Sequence, residues 1–140
     1  MIYSDKVEKI STNENKYAQM RNQALSVTTE QLHLNLDTIQ TVVYGIVMDW
    51  GVGEAIMTVV SFQTGDASLY LNSGQIFIGG YAHENIKKAA VNFVNDGYRH
   101  LYRAILTTGN SLPDKNCVNF YLLTTRKVCL SQNSVYGKRY

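Results

Sequence analysis

The feature that most constrains the fold is a central stretch of four apolar runs, separated by three short turns that each contain glycine. The runs occupy residues 41–50, 55–62, 68–71 and 75–78. Short connections of this kind join neighbouring antiparallel strands, so the stretch predicts a four-stranded antiparallel meander. The first run is almost continuously apolar, which is typical of a strand covered on both faces.

Helical periodicity is found on both sides of the meander. From Tyr17 onward, apolar residues recur at spacings of three and four, which predicts an amphipathic helix that lies on a sheet face. Ser11 and Glu14 have the spacing of a capping box at the start of that helix. A longer helix is predicted to begin near His83, with an interruption at Gly97. Its apolar face comprises Ile86, Ala89, Ala90, Phe93, Val94, Leu101 and Ile105.

The remaining segments complete an α+β pattern. Three leucines in 31–37 alternate with polar residues, which predicts a short strand or an extended arm. A surface loop at 107–116 leads into a final hairpin formed by 117–123 and 127–131. We therefore expect an antiparallel meander sheet of five to six strands, with an N-terminal helix and one long helix before the C-terminal hairpin. This element order is similar to that of profilin-like and roadblock-like domains.

Length and composition exclude several classes of protein. A chain of 140 residues suits one domain, so we expect residues 1–140 to form a single α+β unit with flexible ends at 1–10 and 132–140. With 45% apolar and 17% charged residues, the chain does not have the composition of a disordered protein. No apolar run approaches the roughly 18 residues that a membrane-spanning helix needs, so no membrane partner is expected.

The net charge of the chain and its amino-terminal residues limit the binding partners and the cellular location that we expect. The net charge is +2, and the basic residues occur in scattered pairs rather than along one stripe. Nucleic-acid binders normally cluster basic residues on one face, so no nucleic-acid partner is expected. The first residues lack the basic start and apolar core of a secretory signal, which predicts a cytoplasmic location.

The two cysteines are expected to remain free thiols. In a hairpin that turns at Thr125 and Arg126, opposed residues have numbers that sum to 251, so Cys129 faces Leu122. Cys117 then points to the other side of the sheet, which argues against a disulfide. No histidine or further cysteine lies at ligand spacing from either thiol, so we expect no metal site.

A glycine pair at the end of a predicted strand is the strongest candidate for a ligand site. Gly79, Gly80, Tyr81, His83 and Glu84 lie where the chain passes into the long helix. Unpaired amides at a helix N-terminus attract anions, and glycines allow a phosphate to approach closely. The segment has neither of the usual phosphate-loop glycine patterns, and Glu84 itself is a partner for those amides. We favour a structural turn over an anion site.

No set of catalytic residues is recognisable. The sequence lacks GxSxG, HExxH and CxxC motifs, and His83 and His100 would lie about 25 Å apart along one helix. Asp49 and Glu54, on either side of a turn, could act as an acid–base pair or could be exposed turn residues flanking a partly buried Trp50. We favour the second interpretation, and expect no catalytic residue and no cofactor.

The aromatic content favours association with another protein. The chain has ten tyrosines, and Tyr and Trp are common at interfaces because they bury a large area at low entropic cost. Tyr98, Tyr102 and Trp50 are the candidate interface residues. We therefore expect a non-catalytic interaction domain that binds a protein partner or forms a homodimer by edge-strand or helix pairing. The alternative is a small-molecule or anion-binding domain, or a weak enzyme, that uses the turn at 79–84.

Several short motifs resemble those of an uncharacterised family of small bacterial proteins. They are Val43-Tyr44-Gly45, Ser68-Leu69-Tyr70-Leu71, Ile78-Gly79-Gly80, His83-Glu84 and the strand Phe120 to Thr124. The resemblance covers residues 43–95 and 118–125. It implies a common fold and a bacterial origin, and it implies no activity.

Overall fold

The computed structural model describes residues 13–37, 39–126 and 128–134. The predictions made for residues 1–10, for the Ser11 cap and for the last six residues lie outside these ranges. The elements in chain order are α1 (Asn13–Leu25), β1 (Val43–Val52), β2 (Ala55–Phe62), β3 (Ala67–Leu71), β4 (Ile76–Phe77), a 3-10 turn (Gly80–Ala82), α2 (Glu84–Asp96), α3 (Tyr98–Leu101), β5 (Ile105–Leu106), β6 (Cys117–Thr124) and β7 (Val128–Ser134).

The α+β class is confirmed, and the described strands form one antiparallel sheet. Their order is β4-β3-β2-β1-β6-β7-β5, so the predicted meander is present as β1 to β4. The described residues contain seven strands, which is more than the five to six expected. The difference is β5, where helical periodicity predicted that the long helix would continue. Ile105 and Leu106 instead pair with Leu130 and Cys129 of β7, because edge pairing satisfies their backbone groups.

The long helix is bent at Gly97, as its sequence predicts. The Gly97 amide donates to the carbonyls of Phe93 and Val94, and α3 continues for only four residues. A side chain at Gly97 would place its Cβ 3.0 Å from Cδ1 of Ile46, so glycine allows the helix to lie close to β1. The bend therefore lies where the helix packs closely on Ile46 and Val43 of β1.

Buried residues lie on both faces of the sheet. On the first face, which we call the α1 face, Tyr17 and Ala24 of α1 pack with Tyr44 and Val47 of β1. The prediction of a short strand or extended arm at 31–37 is wrong for its first half: residues 29–33 form a turn in which the amides of Leu32 and Leu34 donate to the carbonyls of Thr28 and Thr29, and 34–37 has no regular secondary structure. The three leucines of the segment pack against this cluster. The second face, the α2 face, has a smaller buried cluster of Val43, Ile46, Val94, Leu122 and Cys129. The first half of β1 is therefore covered on both sides.

Candidate functional site

The strand register brings ten apolar residues together on the α2 face. Trp50 of β1 pairs with Met57 of β2 and Val118 of β6, and Met57 pairs with Leu71 of β3. Because paired residues project to the same face, these side chains form a row across four strands. The neighbouring row contains Phe120, Met48, Val59, Leu69 and Phe77, and Val52 extends β1 beyond Trp50. We call these ten residues the apolar half-face.

The helix α2 covers the other half of this sheet face. Val94 is fully buried in the cluster with Val43, Ile46 and Leu122, and the Phe93 ring meets Phe120 edge-on with centroids 6.4 Å apart. Within the described ranges, Phe120 is the one member of the apolar half-face that packs against either buried cluster. Eight of its ten side chains are half-buried, and Val52 and Phe77 are 40% and 55% exposed. None of the ten is charged, so this surface is apolar, and it is partly exposed.

Trp50 lies near the centre of the apolar half-face, and its indole N–H group has no hydrogen-bond partner among the described residues. Its Nε1 atom is buried. An unpaired buried N–H costs about 1–3 kcal/mol. The indole therefore contributes to this surface through its apolar ring.

The opposite face contains a buried ion pair that sequence analysis missed. Asp49 is fully buried, so its interpretation as an exposed turn residue is wrong. Nη2 of Arg21 lies 2.7 Å from Oδ2 of Asp49, and Nε of Arg21 lies 3.1 Å from both carboxylate oxygens. Glu54, the other acid considered, is exposed and lies 3.3 Å from Nζ of Lys115. The two carboxylates are therefore not a catalytic pair.

Further hydrogen bonds connect this ion pair to three parts of the fold. The Thr58 hydroxyl donates to Oδ1 of Asp49 at 2.6 Å and lies 2.6 Å from the Tyr17 hydroxyl. Arg21 donates to the carbonyls of Asn110 and Ser111 at 2.8 and 3.1 Å. Burial alone would lower the pKa of Arg21, but its hydrogen bond with Asp49 and the Asp49 charge raise the pKa above its ordinary value. The pair therefore holds α1, the sheet and the loop 107–116 together.

A cleft of about 370 Å³ lies beside this ion pair, between α1 and the loop. Its lining includes Arg21 and Tyr17, together with the amides of Asn22 and Asn110. Arg21 directs its donors to Asp49 and to loop carbonyls, and Nδ2 of Asn110 donates to Oδ1 of Asn22 at 3.0 Å. These side chains therefore serve the fold, and the lining also includes the exposed carboxylate of Glu14.

The candidate ligand site at 79–84 is an exposed turn. Gly79 has φ of 82°, and the amides of Ala82 and His83 donate to the carbonyls of Gly79 and Gly80 at 3.1 and 3.0 Å. His83 is the N-cap of α2, and its side chain makes no capping hydrogen bond. Tyr81 is 59% exposed, and Glu84 lies in the first turn of α2. These positions agree with a strand-to-helix turn, and ligand binding there stays a prediction.

Replacing the two glycines of this turn by alanine is expected to have different effects. A Cβ on Gly80 would lie 2.9 Å from Cβ of Ala67 and 3.0 Å from its carbonyl oxygen, so Gly80→Ala should destabilise the fold by about 2–3 kcal/mol. Gly79→Ala meets no atom within 4 Å and should cost about 1 kcal/mol, since only the left-handed backbone disfavours it. Urea denaturation measures both values. Equal costs for the two variants would contradict this description of the turn.

The three predicted interface residues do not lie together. The Tyr98 hydroxyl accepts a hydrogen bond from the Val43 amide at 3.1 Å, whereas Trp50 lies near the other end of β1. Tyr102 is 75% exposed, and Nε of Arg103 donates to its hydroxyl at 2.9 Å. Only Trp50 belongs to the apolar half-face. Sequence analysis missed the other nine residues of this surface, although their alternation along the strands was visible.

A second apolar surface lies at the far edge of the sheet. Ile105 and Leu106 of β5 are 65% and 62% exposed. Leu106 lines a cleft of about 400 Å³ together with Leu101, Ala104 and Cys129. The strand is only two residues long, so it offers little backbone for pairing with another strand.

The predicted register of the final hairpin is confirmed. Cys129 pairs with Leu122, and Cys117 pairs with Ser134. Both cysteines are free thiols, and burial raises the pKa of Cys129. Among the described residues, no cluster of three or more histidine, cysteine or acidic side chains is arranged to hold a metal ion.

Comparison with known proteins returns no match to a protein family, a curated protein or a solved structure. The family resemblance and the bacterial origin that it implies therefore stay predictions. In the described part of the chain, no helix has the length and apolar character required to span a bilayer.

Proposed function

We propose that this protein is a non-catalytic association domain that binds another polypeptide through the apolar half-face. The observation that supports the proposal is the contiguity of ten uncharged side chains on a sheet surface that α2 leaves open. The largest apolar patch on the surface of a soluble domain is often functional, and apolar patches of this kind occur at interaction sites. Trp, Phe and Met are enriched in the core of protein interfaces, where charged residues are scarce.

The size of the apolar half-face suits the central part of an interface. It crosses five strands, which spans about 19 Å at the usual strand spacing, and includes two or three residues on most strands. Its footprint is therefore roughly 300–450 Å². A standard interface buries about 800 Å² on each partner, including a polar rim around the apolar centre.

The chemistry of this surface favours recognition over catalysis. None of its ten side chains is a nucleophile, an acid or a base, and the nearest polar group, Nε1 of Trp50, is buried. Arg21 and Asp49 lie on the opposite face of the sheet, the α1 face, where they form an ion pair with each other. A location inside the cell, where such a partner would be met, is part of this proposal.

Replacing Met57 by a photo-crosslinking amino acid tests the proposed function. Met57 lies within the apolar half-face, so we expect it to form a discrete adduct with a polypeptide in native extract. The matched control replaces Lys88, which is exposed on α2, by the same photo-crosslinking amino acid. This variant should give no discrete adduct. Val52→Glu in the Met57 variant should abolish the adduct, because it places a charge in the docking surface. An adduct equal at both positions, or none at Met57, would contradict the proposal.

A further inference from the structure

The geometry points to a binding site for a small aliphatic carboxylate in the cleft of about 400 Å³ that Leu106 lines with Leu101, Ala104 and Cys129. We call it the β5 cleft. It is separate from the apolar half-face, and the inference does not depend on the proposed function. It is also separate from the turn at 79–84, where the sequence suggested a ligand.

The strand register builds the floor of the β5 cleft. Leu106 pairs with Cys129, and Cys129 pairs with Leu122, which belongs to the buried cluster of the α2 face. Because paired residues project to the same face, Leu106 and Cys129 lie side by side on the α2 face. Leu101 and Ala104 pack against the same cluster and also line the cleft. The body of the cleft is therefore apolar and is supported by the core.

The size of the β5 cleft suits a small molecule. Pockets for small ligands usually measure about 300–1,000 Å³, and most of their lining is apolar with a few polar groups. Leu106 is 62% exposed to solvent. An aliphatic chain in the cleft would cover part of this side chain, and burial of apolar surface favours binding.

A cationic group and two hydroxyl groups complete the lining. Nη2 of Arg126 donates to the carbonyl of Ile39 at 2.6 Å, which holds the guanidinium beside the cleft. The side chains of Thr41 and Thr124 line the cleft as well. A guanidinium has five N–H donors, and its hydrogen bonds to carboxylates are among the strong ones in proteins. The polar part of the lining is therefore complementary to a carboxylate.

The charge of the lining favours a monoanion with an apolar body. Arg126 supplies one positive charge, and none of the described residues that line the β5 cleft is acidic. Burial raises the pKa of Cys129, so its thiol stays neutral at pH 7. One positive charge matches a carboxylate better than a dianionic phosphate, and the apolar floor requires an aliphatic chain rather than a small inorganic anion.

Alkylation of the two cysteines tests the inference in the unmodified chain. Sodium octanoate should slow the alkylation of Cys129 saturably, with a dissociation constant of about 0.1–2 mM. Cys117 is the internal control, because it lies at the opposite end of β6 from the residue that pairs with Cys129, and its rate should not change. Octanol has the same chain without the charge, so it should need a concentration about 10-fold higher.

Three variants test the role of individual groups. Arg126→Gln removes the positive charge and should weaken octanoate binding about 10-fold or more. The matched control is Arg103→Gln, because Arg103 is an exposed arginine that does not line the β5 cleft, and it should leave binding unchanged. Leu106→Asp places a negative charge in the cleft and should abolish the protection of Cys129. Circular dichroism confirms that each variant is folded.

Several results would overturn the inference. Octanoate that leaves the alkylation of Cys129 unchanged, or slows both cysteines equally, does not bind in the β5 cleft. Octanol that protects Cys129 as well as octanoate does, or equal effects of Arg126→Gln and Arg103→Gln, would show that the cleft does not recognise a carboxylate.

Discussion

Asp49→Ala is expected to destabilise the protein by about 3–5 kcal/mol, the largest effect of any single substitution considered for this chain. Asp49 is fully buried and accepts hydrogen bonds from Arg21 and Thr58. Its removal leaves the buried guanidinium of Arg21 without a counter-ion. The Arg21 contacts with the loop 107–116 should weaken at the same time, because they depend on how Asp49 orients the side chain. Urea or thermal denaturation measures the loss.

Two further variants establish the cause of this loss. Glu54→Ala removes an exposed carboxylate near the same turn and should leave the free energy of unfolding unchanged. Arg21→Met combined with Asp49→Leu removes both charges and should be more stable than Asp49→Ala alone, because no buried charge is left unpaired. If Asp49→Ala costs no more than Glu54→Ala, the ion pair does not have the structural role described here.

A steep loss of stability above pH 10 is the second large effect expected. Burial raises the pKa of Tyr17, Tyr44, Tyr70 and Tyr121 above the ordinary value. The folded state therefore holds the phenol protons more tightly than the unfolded chain does. The stabilisation is fully present below the unfolded pKa of about 10 and is lost as the pH rises through the higher folded values. Each such tyrosine contributes a slope of at most about 1.4 kcal/mol per pH unit.

Urea denaturation at several pH values between about 8 and 11 tests this expectation. Tyr70→Phe removes one of the four buried phenols, so its stability should fall less steeply with pH than that of the unmodified chain. The difference between the two curves should appear only above pH 10. Parallel curves over the whole range would contradict the account of buried tyrosines.

Much of the fold was predictable because it depends on local patterns. The observed bounds of β2, Ala55–Phe62, coincide with the predicted run, since glycine turns define its ends. The pairing of Cys129 with Leu122 followed from the length of one hairpin. By contrast, β5 was predicted as helix because Ile105 is in phase with the helical face. Its pairing with β7 is a contact between distant segments that helical periodicity does not reveal.

The candidate site was only partly predictable, for a similar reason. Trp50 was singled out, but the remainder of the apolar half-face depends on how far α2 extends across the sheet, which no local pattern specifies. The burial of Asp49 required a partner 28 positions away on α1. One signal was available: Arg21 lies on the same helical stripe as Tyr17 and Ala24, where a charged residue needs a buried partner.

The most direct test of the central claim uses the single tryptophan of the chain as a reporter. Trp50 lies near the centre of the apolar half-face, so a polypeptide docked there should shield its indole further from solvent. We predict that hydroxyl-radical oxidation of Trp50, measured relative to that of the exposed Tyr102 of the same chain, is lower in native extract than in the dilute purified protein, and that Val52→Glu removes this difference. An equal ratio in extract and in the purified protein would contradict the claim that the apolar half-face is the docking surface.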